Sequence, residues 1–313
     1  MELLFLEPIF KDRIWGGNRL KSDYGYNISN NKTGEAWTVS AHKNGATYVR
    51  NGKFAGISLA ELYKNNPEIF GKNITNEFPL MIKIIDANDK LSVQVHPDDK
   101  YAKEIENDLG KFECWYILDA KPNSSIIYGH KAKSKEELNS LIKNKKWADL
   151  LTETPIKAGD FFPVPTGTVH AIGAGALILE VQQSSDTTYR LYDYDRTDDK
   201  GNTRELHINK SLDVITVPHQ SEPEKYEPIY MNENSVFQIL TMNKYFKVGK
   251  LDVNGHLPEL NLNVPYSILS IIKGHGIING YNVSKGDNII TPHQVHKLDI
   301  QGNLSIIITS ENS

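Results

Sequence analysis

The sequence predicts a mainly β protein, folded as two barrels with a few helices inserted in its N-terminal part. Three observations predict this. Short runs rich in Val, Ile, Tyr and Phe recur along the chain, separated by Gly, Asn, Asp and Pro, which is the pattern of many short strands in a sandwich or barrel. Helical periodicity is confined to the first half. One stretch also recurs: KAGDFFPVPTGTVH (157–170) is echoed by KGDNIITPHQVH (285–296), each with Gly-Asp before a strand, a Pro six residues after the Gly, and a His soon after. A spacing that occurs twice in one chain marks a duplicated unit. At 313 residues the chain exceeds the usual size of one domain. The segment PHQSEPEKYEP (218–228), rich in Pro and charge, reads as a linker. The expected division is therefore 1–225, carrying the helical insertions, and 226–313.

The elements follow in order. SLAELYKNNPEIFG (58–71) reads as a helix with Ser58 as N-cap and Gly71 as its stop. DDKYAKEIENDLG (98–110) sets Tyr101, Ile105 and Leu109 four apart on one face and ends at Gly110. SKEELNSLIKNKKWADLL (134–151) opens with a capping-box spacing, Ser134 to Glu137, and carries Leu138, Leu141, Ile142 and Ala148 as one apolar stripe. The expected strands are LMIKII, LSVQV, CWYIL, SSIIYG, ALILEVQQ, YSILSIIKG, DNIITP and LSIIITS.

Composition excludes several functions. A net charge of −4 with both signs mixed along the chain is the wrong electrostatics for a nucleic-acid binder and offers no run to dock on a membrane. No apolar stretch approaches the roughly 18 residues of a membrane span, and the opening MELLFLEPIFKDRIWGG lacks the layout of a signal peptide. The single Cys114 has no partner for an internal disulfide, which fits a reducing compartment. The expectation is a cytoplasmic protein; nothing in the sequence speaks to oligomeric state.

Polar residues in apolar strands point to chemistry. In LSVQVHPDD, Gln94 and His96 are two apart, so both leave one face of a strand. Buried polar groups require partners, and a metal satisfies both at once. Glu113, in FECWYILDA, shares a face with Trp115 and Ile117, where a carboxylate needs a positive neighbour. The helix at 98–109 carries the chain away from His96 and back, bringing Glu113 beside the first pair. His170 closes GDFFPVPTGTVH. Two histidines, a carboxylate and an amide oxygen suit zinc or another first-row divalent ion. In the second copy His293 and His296 lack an upstream pair like Gln94 and His96, and His275 stands alone, so that copy is expected to be metal-free. GAGA (173–176) is too short for a dinucleotide loop.

Gly159, five residues, Pro165-Thr-Gly167, two residues, His170 resembles the second cupin motif. Gln94-Val-His96 followed by Glu113 resembles the first, with Gln for the first His and a helix before the Glu. Together with IWGG (14–17), GEAWTVSAH (34–42), ECWY (113–116) and SSDTTYRLYDYDR (184–196), the chain resembles the short bacterial form of type I mannose-6-phosphate isomerase. The resemblance is specific to about residue 217 and weaker beyond. It implies two cupin-type, or jelly-roll, barrels; one zinc ion per chain on Gln94, His96, Glu113 and His170; and a small sugar phosphate as substrate. It also implies Arg190 as an active-site arginine, Lys111 as a pocket lysine, and Glu35, Lys83, Ser92 and Glu180 as further pocket residues.

Aldose–ketose isomerisation needs a base at the C–H, a cation near the oxygens and a phosphate anchor. Arg190, permanently charged, suits a developing enediolate. Lys111, beside the metal and desolvated, would act as base through a lowered pKa. Glu180, the one acid in a buried strand, is the rival base. The chain departs from longer family members at Gly110 and at Ile172, where they carry His and Tyr. Two other readings stand beside the isomerase. An Fe(II) oxygenase shares two His and a carboxylate, but Gln94 and SSDTTYR speak against it. A non-catalytic sugar-phosphate binder would be expected to have lost Arg190 or a ligand, and neither is lost.

Overall fold

The computed structural model describes residues 2–71, 75, 77–197, 200–220 and 226–312, and these are mainly β. Packing divides the chain into two units: a central one, Phe10–Ala36 with Lys83–Pro223, and a terminal one, Met1–Ile9, Trp37–Ile82 and Glu224–Ser313. Residues 221–225 of the expected linker lie outside the described residues.

Two sheets, of six and five strands, form among residues 9–192. One runs Phe161–Val164, Glu113–Ala120, Ala176–Gln183, Leu80–Asp86, Thr33–Val39, Ile9–Gly17; the other runs Leu151–Pro155, Ser125–His130, His170–Ile172, Val93–Val95, Tyr189–Tyr192. Trp115, Ile117 and Ile178 of the first and Ile126 and Ile172 of the second share one buried core with Trp15 and Val164. Alternation along Val93–Val95 sends Gln94 to one face and both valines to the other, where they pack with Leu138, Ile142, Leu150 and Ile215. Each fully buried side chain of this size stabilises by about 1.5–3 kcal/mol, which offsets the cost of polar groups held inside.

The terminal unit is built on a nine-stranded sheet. The long strands Phe246–Asn261, Lys297–Glu311 and Ser267–Ile278 lie side by side, and Asn288–Thr291 then pairs with Leu4–Glu7 from the start of the chain. No pairing among the described strands closes any of these sheets on itself. The two barrels expected from the sequence therefore appear as open, mainly antiparallel sheets.

Two of the three expected helices are broken by identifiable residues. Ser58 caps Leu59–Asn65 with a full capping box to Glu61, but Asn66, which precedes a proline, leaves the helical region, and only a single turn, Pro67–Ile69, follows. Ser134 caps Lys135–Lys143, and Lys145 at φ +53 separates it from Trp147–Leu150. The middle helix is Asp99–Ile105, capped by Asp98. Of its expected apolar face only Tyr101 packs against the core; Ile105 and Leu109 are 46% and 38% exposed, and Ala102 is the fully buried residue. Arg19–Ser22 and Ile208–Val214 are helices the periodicity does not predict.

Both copies of the sequence echo form the same turn. Gly159 and Gly286 take φ +92 and +98, which favours glycine. The N–H groups of Lys157 and Ser284 donate to the Asp160 and Asp287 carboxylates at 2.9 and 2.8 Å. The carbonyls of those aspartates accept from Ile117 and Ile271, both at 2.9 Å. A second turn repeats too: Thr168 N–H donates to the Pro165 carbonyl and Val295 N–H to that of Pro292. By these hydrogen bonds Glu113, opposite Val164, corresponds to Ser267, opposite Thr291. His170, five residues after Pro165, corresponds to Lys297 and not to His296, because the second copy is one residue shorter between Pro and His.

Candidate metal centre

The inner face of the central unit brings four side chains together. His170 pairs directly with Gln94 across adjacent strands, and Arg190 pairs with Gln94 on its other side, so one rung of the sheet carries all three. Glu113 comes from the other sheet, and its carboxylate oxygens lie 3.3 Å from His96 Nε2 and 3.4 Å from His170 Nε2. The Gln94 amide ends 3.3 Å from His170 Nε2; its O and N exchange by a half-turn, so the oxygen can face the same point as a ligand atom. Gly167, at φ +82, makes the turn before His170, where a Cβ would meet Thr216 Oγ1 at 2.3 Å; its N–H donates to the His96 carbonyl.

The ring orientations are fixed from behind. His96 Nδ1 bonds the Thr187 carbonyl at 3.0 Å and His170 Nδ1 bonds that of Thr168 at 2.9 Å. With Nδ1 the donor, each Nε2 presents a lone pair toward Glu113, the arrangement that orients histidine ligands in metal sites. His96 Nε2 and both Glu113 oxygens are buried and make no hydrogen bond. His96, Glu113 and His170 form a set whose ligand atoms all lie within 4.8 Å of one another. Burial, reinforced by Lys111, pushes His96 down to about 3, and burial lowers His170. Burial would raise Glu113, but Lys111 and the histidines hold it well below its ordinary value. Three deprotonated, desolvated donors facing one point fit a divalent cation.

Six further residues singled out in the sequence open onto one adjoining cavity: Glu35, Lys83, Ser92, Lys111, Glu180 and Arg190, together with Gln94. Lys83 Nζ bridges Glu180 at 3.1 Å and Gln182 at 2.7 Å, and Trp115 Nε1 donates to Glu180. Lys111 Nζ lies 3.2 Å from Glu113. Its pKa does not move as the sequence leads one to expect. Burial would lower it, but Glu113, Glu180 and Asp186 raise it well above its ordinary value. Burial and Glu113 raise Glu180 against the pull of Lys83. Arg190 donates to Ser92 Oγ at 3.3 Å and to the Glu205 carbonyl at 2.8 Å.

Sequence reasoning passed over Arg13, Arg204 and Asp193. Arg13 forks onto Glu35 at 2.9 and 3.1 Å, and Arg204 onto Asp193; both arginines line the cavity. The only signal for Arg13 is its place directly before IWGG; Arg204 has none.

Residues 3–112 match the family model of the type I phosphomannose isomerase catalytic domain, and 237–311 that of the mannose-6-phosphate isomerase cupin domain. Mannose-6-phosphate isomerase of Streptococcus mutans is 46% identical over 99% of both chains. The chain belongs to the type I mannose-6-phosphate isomerase family. It is thereby an isomerase, and the oxygenase and the non-catalytic binder lose their support. The crystal structure of the mannose 6-phosphate isomerase from Bacillus subtilis superposes with a TM-score of 0.96 at 42% identity, covering 99% of this chain and 100% of that one. A mannose 6-phosphate isomerase bound with zinc and yttrium shares the fold at a TM-score of 0.78 and 15% identity over the whole of both chains. No helix among the described residues of this family member is long and apolar enough to cross a membrane.

Proposed function

We propose that this chain interconverts mannose 6-phosphate and fructose 6-phosphate, with one zinc ion per chain held by Gln94, His96, Glu113 and His170. The observation that carries the metal assignment is the convergence of three buried donors without hydrogen bonds, His96 Nε2 and both oxygens of Glu113. Zinc is preferred because the donors are nitrogen and oxygen and because a fold relative carries it. When bound, such an ion polarises or orients the oxygens of the open-chain sugar.

The chain's own residues supply the rest. A proton moves between adjacent carbons through an enediol-type intermediate, and the group that takes and returns it is Glu180, or Lys111 if a bound cation offsets the Glu113 charge that otherwise keeps it protonated; both line the cavity. Arg190 carries its charge at every working pH and is assigned to the anionic oxygen that forms as the proton leaves. Glu35, Lys83 and Ser92 are assigned to substrate binding on the same wall. Catalysis is placed within 1–225 and the metal-free cupin within 226–313, since Ser267 and Lys297 stand where Glu113 and His170 would be needed. The two units are read as copies of one cupin ancestor, and the lone buried Cys114 favours a cytoplasmic setting.

A coupled assay on mannose 6-phosphate, with and without a chelator, tests this. Turnover should vanish with the chelator and return with Zn²⁺. Full turnover by metal-free protein, or none by metal-loaded protein, would overturn it. Solvent-deuterium incorporation by Lys111→Met and Glu180→Gln then tells which group carries the proton, since the variant that loses exchange lacks the base.

A further inference from the structure

Arg190 sits on the last strand of its sheet, so its backbone N–H and C=O face an open edge. The register slips between Arg190 and Tyr192, and such an irregularity re-aims the side chain beside it. Both edge groups of Arg190 are taken by a single residue. Arg190 N–H donates to His207 Nδ1 at 3.1 Å, and His207 N–H donates to the Arg190 carbonyl at 2.8 Å. Two residues earlier, the Glu205 carbonyl accepts from the Arg190 guanidinium itself at 2.8 Å. The stretch Glu205–His207 thus holds Arg190 at its backbone and at its tip, and the imidazole stands where a neighbouring strand would otherwise supply an acceptor.

We propose that His207 is the positioning residue for Arg190: its Nδ1 fixes the irregular edge that aims the guanidinium into the cavity, and only its unprotonated ring does so. This rests on the role given to Arg190 above. The groups around the ring are Glu205, whose carboxylate lies 3.9 Å from Nε2, with Arg190, Lys210, Glu106 and the Tyr189 ring. Burial first, then Arg190 and Lys210, outweigh the acids and keep the ring below its ordinary range. At neutral pH Nδ1 is therefore free to accept, and acid removes the acceptor by protonating it.

The two nitrogens can be told apart by substitution. Asparagine places its side-chain oxygen close to Nδ1, whereas glutamine reaches toward Nε2. In metal-loaded protein, His207→Asn should keep kcat/KM within about twofold, and His207→Gln should lose about tenfold, the worth of one well-placed hydrogen bond. The loss should fall on kcat, with bound zinc and thermal midpoint unchanged. With bound zinc measured at each pH, the acid limb of kcat/KM should move to lower pH in His207→Asn, whose oxygen does not titrate. Equal activity of wild type and His207→Gln, or equal losses in both variants, would overturn the proposal. Arg190→Ala separates it from the reading beneath: if that variant keeps its activity, the role of Arg190 fails whatever His207 does. If Arg190→Ala is inactive and His207→Gln is not, only the positioning role falls.

Discussion

The Gly-Asp turns at 157–160 and 284–287 share the same hydrogen bonds, yet among the described residues only the central unit gathers a set of donors that could hold a metal. The contrast isolates what a metal centre needs beyond its scaffold. The turn, the strand it starts and the proline turn after it are fixed by backbone bonds that many sequences satisfy. The proposed ligands differ at two matched places, Glu113 against Ser267 and His170 against Lys297. Around Ser267 the surroundings are satisfied without an ion: its N–H and carbonyl both bond Thr291 Oγ1. Around Glu113 the carboxylate oxygens make no hydrogen bond, and they face Lys111 Nζ at 3.2 Å and the two histidine Nε2 atoms at 3.3 and 3.4 Å.

The largest effect that sharpens this contrast comes from the ligands. His170→Ala should lose bound metal and fall to the activity of chelated protein, whereas Lys297→Ala, at the matched place, should leave both unchanged and shift stability by no more than about 0.5 kcal/mol. Elemental analysis beside the coupled assay reads both. Next is Arg190→Ala, expected to lower kcat by about 10²–10³, the range for removing one transition-state charge contact, with metal content intact. Near-normal turnover would remove Arg190 from the chemistry. A smaller effect tests the scaffold alone. Gly159→Ala and Gly286→Ala should each cost about 1–2 kcal/mol for an alanine at positive φ, and by similar amounts in denaturant unfolding; a cost in only one would break the equivalence of the turns.

The smallest effect concerns the cavity wall of the central unit. Burial alone would raise the Asp193 carboxyl, but hydrogen bonds from Arg204 and Arg196 hold it below its ordinary 3.8. A carboxyl depressed on folding stabilises the protein above its unfolded pKa, about 3.9, and that stability is lost as pH falls through the lower folded value. Asp193→Asn should therefore be less stable than wild type at pH 7, with the gap narrowing below about pH 4. Thermal midpoints at several pH values read this, and a gap independent of pH would contradict it.

Much of the site could be read from the sequence because it obeys local rules. Residues two apart on a strand share a face, which joins Gln94 to its neighbours, and the glycine and proline spacing before His170 dictates a turn. What escaped notice depends on distant partners. Arg13 and Glu35 meet across a sheet, and Arg204 and Asp193 across a loop, with no periodicity to announce either pair. The Lys111 shift was misjudged for the same reason: three carboxylates from separate segments outweigh its burial. In the fold, the strands were legible as apolar runs, but their failure to close into barrels depends on which edges pair, which no run of residues encodes.

The central claim is that one ion sits among the donors of the first unit and none in the second. Titrating chelated protein with Zn²⁺ by calorimetry tests it most directly. Wild type should take up one equivalent at pH 7 and Glu113→Ala none. A second equivalent in wild type, or undiminished binding by Glu113→Ala, would contradict the account.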